Sequence, residues 1–163
     1  MGDMLSPYRI LDLTDERSHL TGLLLAQLGA EVIAVEPPSG STSRHIGPFA
    51  QDDENIENSL THWAWNRGKK SIIGGVAEIE LLAKTSDVVL DCGVFKDLDL
   101  GNLRSANPSL LTVTVSPFGA TGPKSNGLAT DLTLLASGGQ LGLTGDPDRP
   151  PIQVGGVPQC WLH

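Results

Sequence analysis

The feature that most constrains this chain is the alternation of short apolar runs with helix-period patterns over its first two thirds. Arg9-Ile10-Leu11-Asp12-Leu13 is a strand candidate, and Leu20, Leu23, Leu24 and Leu28 then recur at helical spacing. Gly29 stands where that helix would stop. Glu31 to Val35 is the next strand, closed by Glu36-Pro37-Pro38. After a polar stretch, Ser59 to Trp65 suits a helical turn or two, Lys70 to Ile73 a strand, and Val76, Ile79, Leu82 and Ala83 a helix. Asp87 to Leu90 reads as a strand, Leu100 to Ala106 as a short helix and Leu110 to Val115 as the clearest strand. Asp131 to Ala136 starts a last helix, and Gly, Pro and polar residues dominate from Gly138 onward. Strands separated by helices require a parallel sheet with right-handed crossovers, so the expected class is α/β with helices on both faces.

At 163 residues the chain has the length of one ordinary domain or of a piece of something larger. We expect a single α/β domain over 1–163, truncated, because Val154 to His163 reads as a segment in mid-course. Residues 39–58 are too long and polar for a plain connection and read as a functional or mobile loop. Apolar residues at 39% suffice for a core, and no window approaches the roughly 20 apolar residues of a membrane span. Met1 to Arg9 lacks the pattern of a secretory signal, and a cytoplasmic location is expected. A net charge of -8 argues against nucleic-acid or anionic-membrane partners, though not against a local basic pocket. Cys92 and Cys160 stand far apart without CxxC company, so neither structural zinc nor a disulfide framework is expected.

Candidate chemistry is sparse. Glu36 ends the second strand as a ribose-binding acid would, but the first turn, Thr14-Asp15-Glu16-Arg17-Ser18-His19, lacks the glycines that admit a pyrophosphate. No Walker loop appears either. Asn66-Arg67-Gly68-Lys69-Lys70 is the densest cationic cluster. It suits phosphate binding, or else a solvated strand edge charged against aggregation. Ser116 to Pro123 follows the last strand, where a parallel sheet places ligands, or is a plain glycine-proline turn. His19, His45, His62 and His163 show no metal spacing and read as surface or capping residues, and Cys92 as a small loop or core residue.

Several collinear motifs add a resemblance. Ile10-Leu11-Asp12-Leu13-Thr14, Leu25 to Ile33, Val35-Glu36-Pro37-Pro38 and Gly47-Pro48-Phe49 come first. Asn66 to Ser71, Asn107-Pro108, Phe118 to Pro123, Thr130-Asp131-Leu132 and Leu143 to Asp148 follow in order. Together they resemble the amino-terminal part of the family III CoA-transferases (CaiB/BaiF family), the group of formyl-CoA transferase, carnitine CoA-transferase and α-methylacyl-CoA racemase. The resemblance implies a Rossmann-like domain that takes CoA or acyl-CoA as substrate, with no permanently bound cofactor or metal. Members form interlocked dimers, and their transferases work through an aspartate that forms acyl anhydrides and an aspartyl-CoA thioester. Lys69 falls on the family's CoA-binding lysine, with Arg67 beside it and Arg44 a further candidate from the long loop.

The departures are as informative. Gly156-Val157-Pro158-Gln159-Cys160-Trp161 places Trp161 where the family has its aspartate, and indole cannot attack a thioester, so no catalytic residue is assigned here. Thr130 stands where the racemase has a histidine base, which disfavours a racemase. Cys92-Gly93 replaces the family's Asn-Phe, Pro37 a basic residue, and Asp15 to Thr21 lacks Ala-Gly-Pro. Two readings stand. One is the amino-terminal domain of an acyl-CoA:carboxylic acid CoA-transferase whose aspartate lies in another half of a longer chain or in a homodimer. The other is a degenerate, non-catalytic module for CoA binding or dimer architecture.

Overall fold

The computed structural model describes residues 4–155 and Pro158, in two compact units, Met1–Val115 and Ser116–His163. The first unit holds strands β1 (Arg9–Leu13), β2 (Glu31–Glu36), β3 (Lys70–Ile73), β4 (Val88–Asp91) and β5 (Leu111–Thr114). Its helices are α1 (His19–Gln27), α2 (Leu60–Asn66), α3 (Val76–Ala83) and α4 (Leu100–Ala106). All five strands form one parallel sheet in the order β3-β2-β1-β4-β5, as the strand-helix alternation predicts.

Burial follows position in the sheet. Central β1 buries Ile10, Leu11, Asp12 and Leu13, the near-continuous burial expected of a parallel strand covered on both faces. Leu11, Leu13, Ile33, Val35 and Val89 pack beneath Ile79 and Ala83 of α3 and Leu103 of α4. Ile10, Val32 and Leu90 pack on the other face with Leu25 and Ala26 of α1. β5, which alternates Leu-Thr-Val-Thr, is an edge strand with Leu111 66% exposed. The sequence's most regular strand pattern thus belongs to an edge strand whose apolar residues, Leu111 and Val113, are both exposed.

Helix starts are set by side chains. Ser59 accepts from the His62 N–H at 3.1 Å, and Asp99 accepts from the Gly101 N–H at 2.7 Å. Within residues 39–58, a 3-10 turn at Thr42–His45 follows the capping Ser41, and Phe49 bridges Ser59 antiparallel. Ser41 and Ser43 of this stretch are buried.

The second unit contains α5 (Asp131–Ser137) and a 3-10 turn at Gln140–Leu143. Thr130 caps α5 in a reciprocal pair with Thr133. Among the described residues no helix is long and apolar enough to cross a membrane.

One close approach holds the first unit's architecture. Gly22 lies on the buried face of α1, and a Cβ there would stand 2.1 Å from Asp12 Oδ2 and 2.9 Å from Lys69 Nζ. Helix α1 can cross the end of β1 only because residue 22 has no side chain. Propensity alone predicts that Gly22→Ala stabilises the helix by about 1 kcal/mol. We expect the opposite sign, a loss of about 2–4 kcal/mol from overpacking against a buried ion pair. Urea unfolding of parent and variant checks this.

Candidate functional site

The order of strands reverses beside β1: β2 and β3 lie to one side, β4 and β5 to the other. Ligands of open α/β sheets bind outside the carboxyl ends of strands at such a switch point. A cavity of about 220 Å³ lies there, walled by Thr14 and Asp15 after β1, Glu36 and Pro37 at the end of β2, and Val94 after β4. A second cavity, about 420 Å³, is walled by Arg44, Arg67, Lys69, Lys70, Glu36 and Trp63, among others. Glu36, His62 and Asn66 line both.

The floor is an ion pair. Lys69 Nζ donates to Asp12 Oδ2 at 2.8 Å, and both side chains are 1% exposed. The same ammonium donates to the His19 carbonyl at 3.1 Å and to Asn66 Oδ1 at 3.0 Å, which uses all three of its protons. Asp12 Oδ1 accepts from the Thr14 hydroxyl at 2.5 Å and from the Thr14 N–H at 3.1 Å. Burial pulls the Lys69 ammonium below its ordinary range, against the opposing pull of Asp12.

A hydroxyl–imidazole network continues from this pair. His19 Nδ1 lies 3.4 Å from Thr14 Oγ1, and His19 Nε2 lies 3.1 Å from Ser43 Oγ. Ser43 Oγ is 2.7 Å from His62 Nδ1, and Asn66 Nδ2 is 3.2 Å from that same nitrogen. His19 and His62 are buried, at 3% and 8% exposure. The sequence reading of both as surface or capping residues is therefore corrected. Imidazole suits these positions because both ring nitrogens of His19, and Nδ1 of His62, meet hydroxyl or amide partners inside a desolvated site.

The predicted phosphate ligands converge on the larger cavity, but in different states. Arg44 grips Glu36 with two bonds, Nε to Oε2 at 2.6 Å and Nη2 to Oε1 at 2.8 Å, and reaches Glu57 at 3.1 Å. Glu36 also accepts from the Ser71 hydroxyl at 2.5 Å and the Ser41 N–H at 2.9 Å. Burial acts to raise this carboxyl, but Arg44, Ser71 and Ser41 together hold it down to about 2. With both oxygens engaged, Glu36 anchors the loop and is not poised for a ribose. Lys69 is buried in its pair with Asp12. Arg67 is exposed, its guanidinium donating to the Ala64 carbonyl at 2.6 Å, and among the described residues no carboxylate pairs with it. Gly68, at φ +83°, makes the turn that separates Arg67 outside from Lys69 inside.

Other candidates have structural roles. Asp15 is held by Arg17 and accepts from the Arg17 N–H at 3.1 Å, while the Asp15 N–H meets Cys92 Sγ at 3.2 Å. Burial pushes the Cys92 thiol up to about 12, far from nucleophilic thiolate character. Thr130 is a helix cap. Ser116 to Pro123 opens the second unit. Among the described residues no three His, Cys, Asp or Glu side chains gather to hold a metal. Gln159 to His163, including Trp161, lie outside the described residues.

Burial, with the Lys69 ammonium nearby, lowers His19 from an ordinary 6.5 to about 4. The fold thus favours neutral His19. This stabilises the protein fully above pH 6.5 and is lost as pH falls from there towards 4, because the unfolded chain takes up the proton first. The difference is worth about 3 kcal/mol. Urea midpoints at pH 7 and pH 4.5 should fall less in His19→Gln than in the parent.

Comparison with known proteins agrees with this geometry. The profile described as CoA-transferase family III matches residues 5–159. The succinate–glutarate CoA-transferase of Agrobacterium fabrum is 37% identical over 82% of this chain and 37% of its own length. Succinyl-CoA:(R)-benzylsuccinate CoA-transferase subunit BbsE of Thauera aromatica is 33% identical over 92% of this chain and 40% of its own. A crystal structure of a CAIB/BAIF family protein from Brucella suis superposes with a TM-score of 0.82 at 30% identity, over 93% of this chain and 43% of that one. The chain spans about two fifths of the length of these relatives. With its parallel sheet, its switch-point cavities and this match along nearly all its residues, the chain belongs to CoA-transferase family III.

Proposed function

We propose that this chain supplies the CoA-thioester-binding, amino-terminal part of an acyl-CoA:carboxylic acid CoA-transferase, and that the reactive aspartate comes from outside it. The observation that carries the reading is the convergence of Arg67, Lys69, Lys70 and Arg44 on one cavity in an otherwise acidic protein. Phosphate oxygens require several cationic or N–H donors at close range. Arg67, exposed and without a carboxylate partner among the described residues, makes the direct phosphate contact, joined by Lys70 at the rim. Lys69 and Arg44 contribute as the neutralised wall behind, one holding the turn to β1 and the other holding the loop to β2. The relatives' names, which specify CoA-transferases for succinate and glutarate and for succinyl-CoA and (R)-benzylsuccinate, support the transferase class without fixing the acids used here. The working protein is a cytoplasmic assembly, a homodimer or this part with the other half of a longer chain.

A second reading, a non-catalytic module for CoA binding or dimer architecture, is favoured by one observation. Three of the four cations on that cavity, Lys69, Arg44 and Lys70, already serve carboxylates of the chain itself.

Calorimetry with CoA at low salt tests the site. Expected binding is around millimolar, roughly 4 kcal/mol, and salt-sensitive. Arg67→Ala should weaken it at least threefold, and equal affinity in both proteins would remove Arg67 from the site. Incubation with an acyl-CoA and hydroxylamine should trap no acyl-enzyme on the isolated chain. Trapped acyl groups would refute the outside origin of the nucleophile.

A further inference from the structure

The cations of the larger cavity suit a phosphate, but they leave Trp63, which lines the same space, without a role. Trp63 is 48% exposed, although few side chains gain more from burial than tryptophan. Its polar edge does not need that exposure, because the indole N–H donates to the Glu57 carbonyl at 2.8 Å. The bond anchors one edge of the ring and engages neither face. Among the described residues no aromatic ring or cation stacks on Trp63: the ring pair is His19 with His62, and the cation over a ring is Lys124 over Phe118.

Charge divides the cavity. Trp63 is tied to Glu57, whose carboxylate meets Arg44 at 3.1 Å and no other partner among the described residues. A phosphate beside that carboxylate would be repelled, whereas an uncharged planar group would not. Arg67 and Lys70 belong instead to the turn into β3. The cavity thus pairs an aromatic, uncharged side with a cationic side, and its volume of about 420 Å³ suits a ligand of nucleotide size.

We propose that Trp63 is a stacking platform for the adenine ring of the CoA thioester, so that this cavity takes the nucleotide end of the substrate, with the base on Trp63 and phosphate on Arg67. The platform rests on the CoA-thioester reading of the cavity and adds the base, which cations alone do not select. Stacking asks of the protein only a fixed, accessible π-face, and one stacked base strengthens binding by about fivefold or more.

Calorimetry and tryptophan fluorescence at low salt test the platform with three probes: CoA, adenosine 3′,5′-bisphosphate and 4′-phosphopantetheine, which lacks the base. CoA and the bisphosphate should quench tryptophan emission in the parent, and phosphopantetheine should not. Trp63→Leu should weaken both adenine ligands by about fivefold or more and abolish the quench. Trp63→Phe keeps a ring but loses the N–H, so it should retain most of the affinity without the quench. Trp63→Phe also serves should the Leu variant fail to fold. A loss in Trp63→Phe as large as in Trp63→Leu would reduce Trp63 to its bond with Glu57 and overturn the platform. CoA affinity unchanged in Trp63→Leu but weakened in Arg67→Ala would overturn the platform and leave the CoA reading standing. Trp63-dependent binding of the bisphosphate without binding of CoA would support a nucleotide platform and remove the CoA reading. No binding of either adenine ligand would overturn both.

Discussion

The structure depends on one buried ion pair, Asp12 with Lys69. A carboxylate near the end of the central strand and an ammonium under a helix are each costly to remove from water, by several kcal/mol per ion. They are tolerated because every remaining valence is met: Thr14 on one carboxylate oxygen, Asn66 and the His19 carbonyl on the ammonium. Meeting those valences ties the end of β1, the first turn of α1, the last turn of α2 and the start of β3 to one point. Gly22 leaves the space in which this happens. The cavities at the carboxyl ends of the strands are shaped by these same segments, so the pair sets their geometry.

The same arrangement distributes charge. An acidic chain meets an anionic substrate only where local cations outnumber local carboxylates. Around the larger cavity, Lys69 and Arg44 are spent on Asp12 and Glu36, and Lys70 pairs with Glu31 at 2.6 Å on the exposed edge. The surplus is Arg67, and it stands outside the turn because Gly68 reverses the chain there. Cation density in the sequence and cation availability in the fold are therefore different quantities, and only the second bears on binding.

The strands were legible because each is a short apolar run between turn residues, and the topology followed from their alternation with helices. Bounds differed by a residue at β2, β4 and β5, where polar Glu36 and Asp91 continue the ladder that hydropathy alone ends. The cationic turn at 66–70 was legible as a cluster, since its members are adjacent. The role of Lys69 was not, because its partner is 57 residues away. One signal did point to it: Asp12, alone among apolar neighbours in a central strand, demands a buried partner. His19, Ser43 and His62 were illegible as a network, because no spacing in the sequence joins a helix start, a loop turn and a second helix.

A double-mutant cycle on stability tests the organising role of the pair most directly, with Asp12→Leu, Lys69→Met and the double variant. Each single change leaves a buried charge unmatched and should cost about 3–5 kcal/mol, whereas the double variant should cost clearly less than the sum of the two. Strict additivity, with each single change costing under about 1 kcal/mol, would contradict the claim that the site is built on this pair.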